Sequence, residues 1–114
     1  MSFVAQLMES AASDTDVLRS LDRNGDDFSK FREVDFLIIA PNPEKAQTIC
    51  GFVNDYSYGV ATVQAPENPS NVLIVIRMPV EQSIILCVSG FMACVAHLFG
   101  AEFDGWGCTA QART

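Results

Sequence analysis

The stretch VDFLIIAPNPEKAQTIC (residues 34–50) changes its hydrophobic period part-way along. Val34 to Ala40 is a short apolar run, partly β-branched and stopped by Pro41, which predicts a buried strand. Asn42-Pro43-Glu44 is a helix start. Asn accepts hydrogen bonds from the first free amides, Pro fits the first turn, and Glu favours the positive end of the dipole. Ala46, Ile49, Cys50 and Val53 then recur at i, i+3, i+4 and i+7, one face of a helix. A strand feeding directly into a helix is the first half of a β-α-β unit.

Working outward, Tyr58-Gly59 closes that helix and Val60–Gln64 predicts a short strand. Ala65–Asn71 carries two prolines and reads as a loop. Val72–Met78 (VLIVIRM) is the most strand-like run in the chain. After Pro79 a long apolar helix runs to about Phe99, with Gly100 as its cap, and Glu102–Cys108 makes a last strand. Upstream, residues 3–22 predict a helix whose apolar positions are Val4, Leu7, Met8, Val17, Leu18 and Leu21. Its pattern breaks near Ser13 and Asp14, which could cap a second helical segment. The order is a helix followed by β-α-β-β-α-β. The expectation is therefore a ferredoxin-like α+β sandwich, a four-stranded antiparallel sheet with two helices on one face and an extra N-terminal helix. Residues 1–22 form the helical extension and residues 23–114 the sandwich, within one compact domain.

Ser83–Gly100 carries no formal charge, long enough to ask whether it spans a membrane. On a helical wheel Ile84, Val88, Phe91, Met92, Val95 and Phe99 share one face. Gln82, Ser89, Gly90, Ala93, Ala96 and His97 share the other. Segregation of small and polar residues fits a helix packed between a sheet and a neighbour, not a lipid-facing one. The large face is expected on the sheet. The small face would admit the N-terminal helix or a second copy of the chain.

Charge and composition limit the function. The 114 residues are 49% apolar with a formal net charge of −7, so the chain is globular and its surface repels phosphate backbones while attracting basic partners. Direct nucleic-acid binding is not expected, and the third strand, NVLIVIRM, lacks the aromatics on which an RNA-recognition sheet stacks bases. Cys50, Cys87, Cys94 and Cys108 have no C-x-x-C pairing and no zinc-spaced His. They read as reduced thiols of a cytoplasmic protein. The N-terminus lacks the basic and apolar regions of a signal peptide.

Asp22, Asn24, Asp26 and Glu33 have the spacing of a calcium loop. Asp27, however, stands where that loop needs Gly, and a strand follows where it needs a helix. No metal or cofactor is expected. His97, the single histidine, has no nucleophile in a motif with it, and the usual phosphate and nucleophile-elbow loops are missing, so no catalytic residue is assigned. Phe103-Asp104-Gly105-Trp106-Gly107 holds the one Trp. It reads either as a twisted edge segment whose indole covers the sheet or as an aromatic anchor for a protein partner.

Two stretches, GDDFSKFREVDFLI (Gly25–Ile38) and FGAEFDGWGC (Phe99–Cys108), together resemble the regulator of ribonuclease activity B family, small protein inhibitors of ribonuclease E. The resemblance covers about Leu18 to Ala110. Phe31 stands where many members have Pro, and Cys108 where Thr is common. The resemblance implies the ferredoxin-like fold and a non-catalytic regulator that binds a basic partner, ribonuclease E or a related nuclease assembly. On that reading Asp26, Asp27, Lys30 and Arg32 of the connector, with Asp104, Gly105, Trp106 and Gly107, form or flank the partner surface. The alternative is a ferredoxin-like domain that senses a small molecule or dimerises, unrelated to ribonuclease control.

Overall fold

The computed structural model describes residues 2–112. Their elements are α1 (Phe3–Arg23), β1 (Arg32–Ile39), α2 (Pro43–Asp55), β2 (Val60–Gln64), β3 (Asn68–Met78), α3 (Gln82–Leu98) and β4 (Glu102–Cys108). The described residues form an α+β structure with three helices and one four-stranded sheet, ordered β2-β3-β1-β4, in which every neighbouring pair is antiparallel. No helix among them is long and apolar enough to cross a membrane.

The decisive stretch folds as its pattern dictates. In β1 the residues Val34, Phe36 and Ile38 are fully buried and alternate with more exposed ones. Asn42 accepts a hydrogen bond from the Lys45 amide at 2.8 Å and caps α2, which buries Ala46, Ile49 and Val53. α2 packs on β2 and β3, and α3 packs on β1 and β4, so both helices cover the same sheet face. The core lies between, from Val34, Phe36 and Ile38 to Val72, Ile74, Ile85 and Met92.

Four expectations need correction. The stretch from Ala65 to Asn71 is not all loop, because β3 begins at Asn68 and pairs with Gln64 across a tight connection. α2 ends at Asp55, and its reversal is made by Ser57, while Gly59 is needed for room. A Cβ there would sit 2.9 Å from both Ile74 and Ile76. α1 is unbroken through Ser13 and Asp14, because the Asp14 carboxylate is committed to a distant residue and is not capping its own helix. The inward line of α1 is Phe3, Leu7, Ser10, Asp14, Leu18 and Leu21, leaving Val4, Met8 and Val17 exposed.

The fourth correction is the phase of α3. Met92 and Val95 face the core as expected, but Ile84 and Phe91 are exposed, and Ile85, Ser89 and Ala96 are buried. The wheel assumed a single burying surface. α1 packs against the small-residue side of α3, so the buried arc is displaced from the large face toward that side. His97, on that side, is exposed and stacks on Phe3 with ring centroids 4.1 Å apart. α3 then stops in a left-handed turn. Gly100 has φ +67°, and the Ala101 amide reaches back to the Ala96 carbonyl at 2.7 Å.

Candidate partner-binding surface

The connector between α1 and β1 is built around one buried ion pair. Arg32 Nη1 donates to Asp26 Oδ2 at 2.6 Å, and the two residues are 3% and 1% exposed. Burial pushes the Asp26 carboxyl up. The hydrogen bonds from Arg32 and from the Gln111 amide, with the Arg32 charge, outweigh it and hold the group below the ordinary aspartate range. The guanidinium also donates to the carbonyls of Asp27 (2.8 Å), Lys30 (3.1 Å) and Thr109 (3.3 Å). Arg suits this place because its fork of donors serves a carboxylate and several carbonyls at once.

The same connector grips residues 109–112. The Gln111 amide donates to Asp26 Oδ2 at 3.0 Å, and the Asp27 amide donates to the Gln111 carbonyl at 2.7 Å. Lys30 Nζ donates to the Ala112 carbonyl at 2.6 Å. Ser29 Oγ donates to the Asp27 carboxylate, also at 2.6 Å. Residues 26–32 and 109–112 are thus one clamped unit. The calcium-like spacing resolves the same way. Asp22 lies in the last turn of α1, Glu33 lies in β1 and Asp26 is engaged with Arg32, and no three such side chains among the described residues are grouped to hold a metal ion.

β4 supplies the second half. Phe36 opposes Trp106 and Ile38 opposes Phe103, so Leu37 alone faces both Asp104 and Gly105. This is a bulge, and Gly105 takes its left-handed position with φ +94°. The extra residue turns Phe103 and Trp106 to the same, inner, face. The half-buried indole donates to Asp14 Oδ1 of α1 at 2.8 Å. Burial raises the Asp14 pKa, opposed by the neighbouring Ser89 hydroxyl and by the indole. Ser89 Oγ is itself buried without a hydrogen bond of good geometry, so the indole bond is the firm one. The structure thus gives Trp106 the job of tying α1 to the edge strand.

The predicted residues therefore separate. Asp26 and Arg32 are buried in the clamp and cannot form the exposed rim expected of the connector, since a charge pair with this many internal bonds turns inward. Asp27 and Lys30 are half-buried beside them. Asp104 and Gly107 are exposed, with Gly105 half-buried between them at the bulge.

The sheet face away from the helices is uncovered among the described residues. Its centre is apolar, with Leu37 opposite Leu73, and Val75 and Ile39 beside them, all half-buried. Glu33 and Asp35 on β1, with Glu102 opposite Ile39 on β4, are exposed on the β1–β4 half, and Asp104 is exposed at the bulge on its edge, beside Ser10 and Ser13 of α1. Arg77, opposite Glu33, is the cation there. At the connector end, Phe31, Glu33, Asp35, Arg77 and Gly107 line an open depression of about 650 Å³. Phe31 is 59% exposed. Sequence reasoning missed Phe31, Glu33, Asp35 and Glu102. The alternation in REVDFLII carried that signal, because residues between buried ones must face the other way.

This is an open, acidic surface with an apolar centre and Phe31 at its edge. None of the curated proteins compared with the chain matches it. A family model described as regulator of ribonuclease activity B matches residues 11–108, from the middle of α1 to the last residue of β4. That span takes in the connector half of the clamp, the bulge and the open sheet face, and by it the chain belongs to the regulator of ribonuclease activity B family.

Proposed function

We propose that the protein is a non-catalytic, cytoplasmic regulator that binds ribonuclease E or a related nuclease assembly through the open sheet face and the clamp beside it. The observation carrying this reading is the grouping of Glu33, Asp35, Glu102 and Asp104 around an apolar, uncovered sheet. A basic, partly apolar segment of the nuclease suits it. Opposite fields speed the encounter and fix the register, while Phe31 and the Leu37–Leu73 centre bury apolar area. Asp27, Lys30, Asp104, Gly105 and Gly107 edge the surface. Asp26, Arg32 and Trp106 act from behind it by holding the backbone in place. Regulation then follows from steric cover or altered assembly, with no chemistry done by this chain and no direct contact with RNA.

We read the architecture as a ferredoxin-like sandwich with an added N-terminal helix. The strand order β2-β3-β1-β4 and the placing of α2 and α3 on one face support it. The test is surface-plasmon binding of the full chain to immobilised full-length ribonuclease E at several salt concentrations. Replacing Glu33, Asp35 and Asp104 by their amides should slow association about tenfold at low salt and flatten its salt dependence. Association as fast and as salt-sensitive as in the wild type would overturn the proposal.

A further inference from the structure

α3 presents a second apolar line to solvent, away from the sheet. Ile84, Cys87, Phe91, Cys94 and Leu98 follow one another at intervals of three, four, three and four residues. That is the spacing of a helix–helix seam. Leu98 is 81% exposed, Ile84 39% and Phe91 37%, and Cys87 is exposed while Cys94 is half-buried. α1 is already packed on the small-residue side of α3, so among the described residues no helix packs over this line. Beside its midpoint Tyr58 contacts Phe91, with ring centroids 4.8 Å apart. Gly90 leaves a notch there, because a Cβ on it would meet nothing within 4 Å.

We infer that this line of α3 is a self-association surface, on which a second copy of the chain docks with its own α3 antiparallel. Two features select that occupant. The first is symmetry. A two-fold contact requires that if residue i meets j, then j meets i. Reversed about Phe91, the line maps onto itself: Ile84 meets Leu98, Phe91 meets Phe91 and Cys87 meets Cys94. At 1.5 Å per residue the Ile84–Leu98 pairs are level, and each Cys87–Cys94 pair is offset by only about 1.5 Å along the axis. Gly90 gives room for the opposing Phe91 ring.

The second feature is charge. Each copy carries −7, so two copies repel over most of their surface. From Gln82 to Leu98 there is no formal charge. The seam is where two copies meet without setting like charges together. A parallel arrangement would place the two Glu81 residues, at the N-termini of the helices, side by side, whereas the antiparallel one separates them and opposes the dipoles. The seam lies on the helix side, so a dimer leaves the open sheet face of each copy free for the nuclease.

Sedimentation velocity of the full chain under reducing conditions, across roughly a hundredfold concentration range, tests the association. A concentration-dependent dimer is expected. Leu98→Glu should raise its dissociation constant at least about tenfold. Leu98 is too exposed for that change to unfold the chain, and a circular dichroism spectrum matching the wild type checks it. A short bismaleimide tests the register. An equimolar mixture of Cys87→Ser and Cys94→Ser chains should cross-link through Cys87 of one and Cys94 of the other, and neither chain alone should do so to a similar extent. A monomer throughout, a Leu98→Glu chain that dimerises like the wild type, or linkage of Cys87 to Cys87 would each overturn the inference. A monomer that instead takes up another protein on this line would also overturn it.

Discussion

Asp26 and Asp14 are both buried aspartates, and their opposite environments give them opposite signs in the pH dependence of stability. Asp26 is held below its ordinary range by Arg32 and the Gln111 amide. Its contribution is present above the unfolded pKa and is lost as pH falls through the folded one. Removing one partner of such a pair strands the other charge, so Asp26→Ala should cost about 3–5 kcal/mol in denaturant melts near neutral pH. The loss should shrink on acidification, and exchange of the Gln111 amide should speed up. Asp14 is raised by burial, so it favours the folded state when protonated and costs stability as pH rises through its folded value. Asn can still accept the Trp106 indole bond. Asp14→Asn should therefore be at least as stable as the wild type near neutral pH, and any advantage should fade toward about pH 4, as thermal melts at both pH values would show. Neither role was legible in the sequence. The partners lie 6, 85 and 92 positions away, and a lone Asp in a helix or connector does not announce a distant partner.

At the scale of elements, the sequence reading placed every helix and strand, and β2 and β4 to the residue. It did so where the signal was local: the Asn42-Pro43 start, the Pro41 stop and the period change in residues 34–50. It went wrong where tertiary contact decides. The wheel of α3 put Ile84 on the sheet, whereas two neighbours share the helix and Ile85 is the buried residue. Truncation separates the two phases. Ile85→Ala should cost about 2–5 kcal/mol, while Ile84→Ala should stay within about 1 kcal/mol, as measured by urea unfolding. The bulge at Asp104–Gly105 was equally hidden, although the glycines permitted it. Only the register against β1 shows that FDGWG turns its Trp inward.

At the scale of the molecule, the division of labour between surfaces is the central claim. The connector motif and the Trp106–Asp14 bond hold residues 109–112 and the edge strand, and on the proposed reading the acidic sheet face is left to meet the nuclease. The charge proposed for the partner rests on composition, and the family was legible from the two motifs. The face was not, because it is assembled from alternate residues of strands far apart in sequence. Methyl and amide chemical-shift mapping of the full chain titrated with ribonuclease E tests the claim most directly. The account predicts shifts concentrated at Phe31, Glu33, Leu37, Leu73, Val75 and Asp104, with α2 and α3 little changed. Shifts confined to α2 and α3, with the sheet face silent, would contradict it.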